Sequence, residues 1–126
     1  MRLLLDTHII LWVVANDARL SDKARKLLQI PREDVFYSVA SLWEIGIKHG
    51  YGRLEFSPLV ISDAMNRSGF VRLPIKDDHI ERLLTLPHHH RDPFDRMLVA
   101  QADSEPLKLV TSDSRLEAYG TAILMV

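Results

Sequence analysis

Five acidic residues stand where apolar segments change character. Asp6 follows Leu3-Leu4-Leu5, and Glu44 ends Ser41-Leu42-Trp43-Glu44. Asp92 and Asp95 bracket Pro93-Phe94, and Asp113 closes Val110-Thr111-Ser112-Asp113. Each has an ordinary structural use. Ser41 with Glu44 matches a capping box. Asp92 suits a helix N-cap, with Asp95 favourable at the positive end of the same helix. Asp6 and Asp113 suit turns. None of these uses explains why a carboxylate ends two separate apolar runs. Several carboxylates held together cannot all stay ionised without a cation, and an all-oxygen donor set points to Mg2+ or Mn2+. An ion held this way lowers the pKa of a bound water and screens a phosphate, which suits phosphodiester cleavage. No Ser–His–Asp arrangement or Gly-rich phosphate loop competes. The chain has no cysteine, which excludes a thiol nucleophile, iron–sulfur clusters, cysteine zinc sites and a disulfide scaffold.

The acids matter only if the fold brings them together. Leu3 to Leu5 suits a strand buried on both faces. Val35 to Tyr37 is rich in β-formers, Phe70 to Leu73 stops at Pro74, and Leu107 to Val110 and Ala122 to Val126 complete the candidate strands. Between them, Thr7 is expected to cap a helix to about Ala15, and Ser21 another through Gln29. Ser38 opens a helix to about Gly50, and Pro58 to Ser68 forms one stopped by Gly69. Asp77 to Leu84 is a short helix, and Asp92-Pro93 opens one to about Glu105, with proline in the first turn. Val39, Leu42, Trp43, Gly46 and Ile47 share one helical face, which predicts Trp43 in the core.

Strands alternating with helices, without hairpin turn signals, predict an α/β fold. Right-handed crossovers make it a doubly wound α/β/α sandwich with a central, mostly parallel sheet of four to five strands, one domain over residues 1–126. Ligands in such sheets gather at the carboxyl edge, near the point where strand order reverses. Asp6 and Asp113 fall on that edge, as does the helix start at Asp92 and Asp95. Glu44 is ~9 Å along its helix, but helical side chains tilt toward the N-terminus, so it can reach back.

Composition narrows the class. The chain has 126 residues, 47% hydrophobic and 26% charged, an ordinary globular balance. A net charge of -1 provides no global attraction to nucleic acid, so any such binding needs a local basic patch. The longest apolar run, Ile9 to Ala15, is far below the ~20 residues of a membrane span. Met1 to Leu5 is too short for a signal core before Asp6 interrupts it. A cytoplasmic protein with no membrane association is expected. Ile9 to Val14 is apolar all round, so part of that helix is expected against another chain.

Four blocks, in order, resemble a known family. They are Leu4-Leu5-Asp6-Thr7-His8 with Leu11-Trp12; Ser38-Val39-Ala40-Ser41-Leu42-Trp43-Glu44-Ile45; Leu86 through Ala102, containing His90-Arg91-Asp92-Pro93-Phe94-Asp95-Arg96; and Leu109-Val110-Thr111-Ser112-Asp113 with Tyr119-Gly120. They are similar to PIN-domain ribonucleases, specifically the VapC-type toxins of type II toxin–antitoxin systems. The resemblance implies a metal-dependent endoribonuclease that hydrolyses RNA using Mg2+ or Mn2+ held by Asp6, Glu44, Asp95 and Asp113. Asp95 takes the helix position because Val99 and Ala102 follow on its face. Asp92 is left as an N-cap or outer acid. Thr7 and Thr111 are expected behind the ligands or against the substrate. The family also implies a homodimer and a small antitoxin that wraps the toxin and blocks its metal site.

Other residues invite different chemistry. His88-His89-His90 suggests zinc, but three consecutive loop residues do not converge easily on one ion or match a structural zinc spacing. With Arg91 and Arg96 they fit a weakly basic rim beside the metal site that could touch substrate, or a solvated loop. Lys48, His49 and Arg53 suit phosphates or a solvated helix end, and Trp12 suits stacking on a base. The alternative class is a non-enzymatic, receiver-like signalling module that binds Mg2+ around a phosphorylatable aspartate. It needs an acidic pair after the first strand and a lysine after the last; here Asp6 stands alone and no lysine follows.

Overall fold

Leu3, Leu4 and Leu5 have no solvent-exposed surface, and the structure is built outward from them. The computed structural model describes all of residues 1–126. Its strands are β1 (Leu3–Leu5), β2 (Val35–Ser38), β3 (Val71–Leu73), β4 (Lys108–Thr111) and β5 (Ile123–Met125). All pairings are parallel, in the order β3-β2-β1-β4-β5. The order reverses between β1 and β4, where Leu3 lies opposite Lys108 and Leu5 opposite Val110. Receiver-type sheets run 2-1-3-4-5, so the topology removes the signalling alternative.

Side chains alternate across a strand, and the two faces of the sheet carry two cores. Leu3, Leu5, Tyr37 and Val110 face one layer, made by α1 (Thr7–Ala15), α2 (Asp22–Leu27), α3 (Val39–Gly50) and α4 (Pro58–Arg67). Ile9, Ile10, Ala24, Ile45, Ile61 and Met65 supply its contacts. Leu4, Leu73 and Leu109 face the other layer, where α6 (Pro93–Ser104) contributes Leu98, Val99 and Ala102, and α5 (Asp77–Thr85) packs on α6. The result is the expected α/β/α sandwich, with five strands, all parallel. No helix is long and apolar enough to cross a membrane.

Several local expectations are corrected. The N-cap of α1 is Asp6, whose carboxylate accepts from the Thr7 backbone N–H at 2.7 Å, so Thr7 is inside the helix and does not cap it. Ser38 caps α3 through the Ala40 N–H, so Ser41 is already helical and no capping box joins it to Glu44. Trp43 is 62% exposed, because the buried face of α3 carries Ala40, Ser41, Leu42, Glu44 and Ile45. Ile9 and Ile10 are buried, and Leu11 to Val14 are half-buried against the protein's own core. That leaves less apolar surface on α1 than an all-round stripe suggested. Two 3-10 helices, Arg32–Asp34 and Ser114–Tyr119, were not anticipated.

Candidate metal centre

Asp6 sits at the reversal point of the sheet. Its backbone N–H donates to Val110 O at 3.0 Å, which continues the β1–β4 pairing one step beyond the strand. Its carboxylate is held on both oxygens, by the Thr7 N–H and by the Thr111 hydroxyl at 2.6 Å. The same hydroxyl accepts the Asp113 N–H at 3.0 Å, so Thr111 ties the Asp6 and Asp113 segments together. Thr7 lies behind the acids, with its hydroxyl donating to Ser41 at 2.9 Å. Burial, the largest influence, pushes the Asp6 carboxyl above its ordinary range, against the pull of the hydrogen bonds from Thr111 and Thr7.

Glu44 is 5% exposed and approaches from the buried face of α3. Its Oε2 accepts from Lys48 Nζ at 2.9 Å, one helical turn on. Its Oε1 is buried with no hydrogen-bond partner. Asp95, in the first turn of α6, has its carboxyl pushed up to about 7, first by burial and then by the negative charges of Asp6, Asp92, Glu44 and Asp113. Asp113 caps the Ser114–Tyr119 turn, and Arg115 grips both its oxygens at 3.0 and 2.8 Å. That guanidinium holds the Asp113 carboxyl below its usual range. All four expected acids therefore reach one rim.

Asp92 is the N-cap of α6, accepting from Phe94 N at 2.8 Å and Asp95 N at 3.2 Å. Arg91 is exposed. Arg96, expected on the rim near substrate, is instead buried; it donates to Pro87 O at 2.9 Å, to the Tyr119 hydroxyl at 3.1 Å and to Leu83 O at 3.3 Å. It anchors the histidine loop. The loop in turn lies beside the acids as expected, but brings His90 in among them, since the donor atoms of His90, Asp95 and Asp113 all lie within 4.8 Å of one another. Sequence spacing gave no sign of this, because the loop is shaped by Arg96 and Tyr119 from other elements.

The arrangement fits a divalent cation. Glu44 Oε1 is a buried carboxylate oxygen with no partner, and the Asp95 carboxyl is pushed up by burial and then by its charged neighbours; a cation would satisfy the first and ease the second. Asp6, Glu44, Asp95 and Asp113 offer the oxygen donors that hard cations prefer.

The fold is shared with proteins of known structure. A chain in a DNA-bound VapBC from Salmonella typhimurium superposes with a TM-score of 0.73 at 17% identity, covering 99% of this chain and 98% of that one. FitAcB from Neisseria gonorrhoeae gives 0.69 at 19% identity, covering 97% and 96%. A toxin–antitoxin complex from Klebsiella pneumoniae gives 0.67 at 19% identity, covering 97% and 95%. No curated protein matches in sequence. The PIN domain family, in contrast, matches over residues 3–121, from the first residue of β1 to just short of β5. With all four acids inside that span, the chain belongs to the PIN domain family.

Proposed function

We propose that the protein is a metal-dependent endoribonuclease, the toxin of a toxin–antitoxin pair. One observation carries this: in a PIN domain, Asp6, Glu44, Asp95 and Asp113 meet on one rim, where burial and four neighbouring carboxylates push Asp95 up to about 7, a crowding that a bound cation would relieve. Asp6, Glu44, Asp95 and Asp113 would hold Mg2+ or Mn2+, favoured over softer ions by the oxygen donors. Such an ion supplies a water of lowered pKa and screens charge on the phosphate. The protein's part is to orient the acids: Thr111 and Thr7 fix Asp6, and Asp92 fixes the start of α6 beneath Asp95.

A path for a nucleic-acid strand lies beside the acids. A groove of about 440 Å³ is lined by His8, Trp12, Arg19, Lys48 and Arg53 and also by Asp17 and Glu55, with Arg19 paired to Asp17 and Lys48 to Glu44. Cations along a groove attract phosphates, and an indole face accepts any base, which suits single-stranded RNA. The partner proposal, a cognate antitoxin, draws support from the toxin–antitoxin complexes that share the fold. A homodimer is proposed with it; exposed Trp43, Ile47, Leu59 and Val60 are apolar surface that a second chain could cover.

The test is cleavage of end-labelled single-stranded RNA by purified protein. Cutting with Mg2+ or Mn2+, stopped by EDTA and absent in Asp6→Asn, is the expected outcome. Undiminished cutting in EDTA overturns the metal mechanism.

A further inference from the structure

His90 lies on the loop between α5 and α6, and its imidazole is fixed on the side away from the acids. The Asp92 backbone N–H donates to Nδ1 at 3.2 Å. The His90 backbone N–H donates to the Tyr119 hydroxyl at 3.2 Å, and Arg96 grips that hydroxyl and the Pro87 carbonyl. A peptide N–H can only donate, so Nδ1 is the accepting nitrogen and Nε2 is the one that carries a proton. Nε2 faces the acids, 3.0 Å from Asp95 Oδ2 and 3.7 Å from Asp113 Oδ2. The side chain is 8% exposed. The Asp113 oxygen is too far for a hydrogen bond and the Asp95 oxygen is off the N–H direction, so Nε2 is buried without a hydrogen-bond partner.

A buried donor without an acceptor is unfavourable, and the nearest acceptor is the Asp95 carboxylate. We propose that His90 is a positioning residue, whose Nε2 N–H fixes the Asp95 carboxylate toward the metal, and is not itself a ligand. This rests on the acids being metal ligands. The convergence of His90, Asp95 and Asp113 resembles a mixed nitrogen–oxygen site, but ligation through Nε2 needs the proton moved to Nδ1, where it meets the Asp92 N–H head-on. The Asp92 cap thus has two effects: it starts α6, and its backbone sets the His90 tautomer.

The test uses Mn2+ alone as the probe, with pulsed electron paramagnetic resonance for its ligands and calorimetry for its affinity. The parent protein should bind Mn2+ and show no directly coordinated nitrogen. His90→Gln keeps an N–H donor and should bind within about two-fold of the parent, whereas His90→Leu lacks one and should bind about ten-fold more weakly, the usual scale for losing a partner behind a ligand. A coordinated-nitrogen signal that vanishes in both variants makes His90 a ligand and overturns the proposal. Equal affinity in all three proteins reduces it to a loop residue and also overturns it. If His90→Leu does not fold, the parent spectrum and the glutamine variant still decide between donor and ligand. Failure of the parent to bind Mn2+ is the separate failure of the metal-centre reading, and the proposal falls with it.

Discussion

A carboxyl that titrates near neutrality makes the metal-free protein respond to pH in one direction. Asp95 holds its proton up to about pH 7 in the fold, whereas an unfolded aspartate loses it near ~3.9. Between those values the native state binds more protons than the unfolded state, so stability falls as pH rises through the window. Metal-free parent should therefore melt at a lower temperature at pH 8 than at pH 5, and Asp95→Asn should flatten that slope and melt higher at pH 8. Thermal melts in EDTA check it; a parent that gains stability toward pH 8 contradicts it. Lys48 offers a second test at this scale. Its ammonium occupies Glu44 Oε2, so it competes with an incoming cation. Lys48→Met should tighten Mn2+ binding by roughly three- to ten-fold, the size of one partly exposed ion pair, as read by titration calorimetry. Asp6 and Asp113 were legible in the sequence because each follows an apolar strand, which puts both on the carboxyl edge of a parallel sheet. His90 and Arg96 were not. Their places depend on Tyr119 and on backbone atoms of the loop, which leave no mark in residue spacing.

Helix α3 shows how a helix face can be misread. Val39, Leu42, Trp43, Gly46 and Ile47 form the more apolar stripe, yet the buried stripe is Ala40, Ser41, Leu42, Glu44 and Ile45. Two of the buried residues are polar because this face borders the acid site, where Ser41 accepts from Thr7 and Glu44 joins the carboxylates. Hydropathy counts those residues as outward, and so the period is assigned to the wrong side. Ile45→Ala should accordingly destabilise by about 2–5 kcal/mol, as large-to-small changes in a core do. Trp43→Ala should change stability by less than about 1 kcal/mol, as surface changes do. Denaturant unfolding separates the two; a larger loss at Trp43 would restore the core assignment. Strands were easier to place. Leu3 to Leu5 is apolar at every position because both sheet faces are covered, and a short run of that kind has few other uses.

For the molecule as a whole, the proposed metal site would link metal binding to folding. A cation that binds only the native state stabilises it by about 2.7 kcal/mol at one hundred times its dissociation constant. For a domain of this size that should raise the melting temperature by several degrees. Mn2+ should produce that rise in the parent and not in Asp6→Asn, and a scanning-calorimetry series shows it directly. The strand order was less legible than the elements, because nothing in the residues themselves says that β1 lies between β2 and β4. That order also sets when the protein can become active during its own synthesis. The hydroxyl that braces Asp6 belongs to Thr111, 105 positions further along, and Asp113 follows it. A nascent chain that has released α1, α3 and α6 holds three of the four carboxylates but lacks the strand that closes the β1 edge and the threonine that aims Asp6. On the proposed mechanism, hydrolytic capacity then arrives late, with the emergence of β4, and a ribosome making this protein would carry an inert chain for most of the time that synthesis takes.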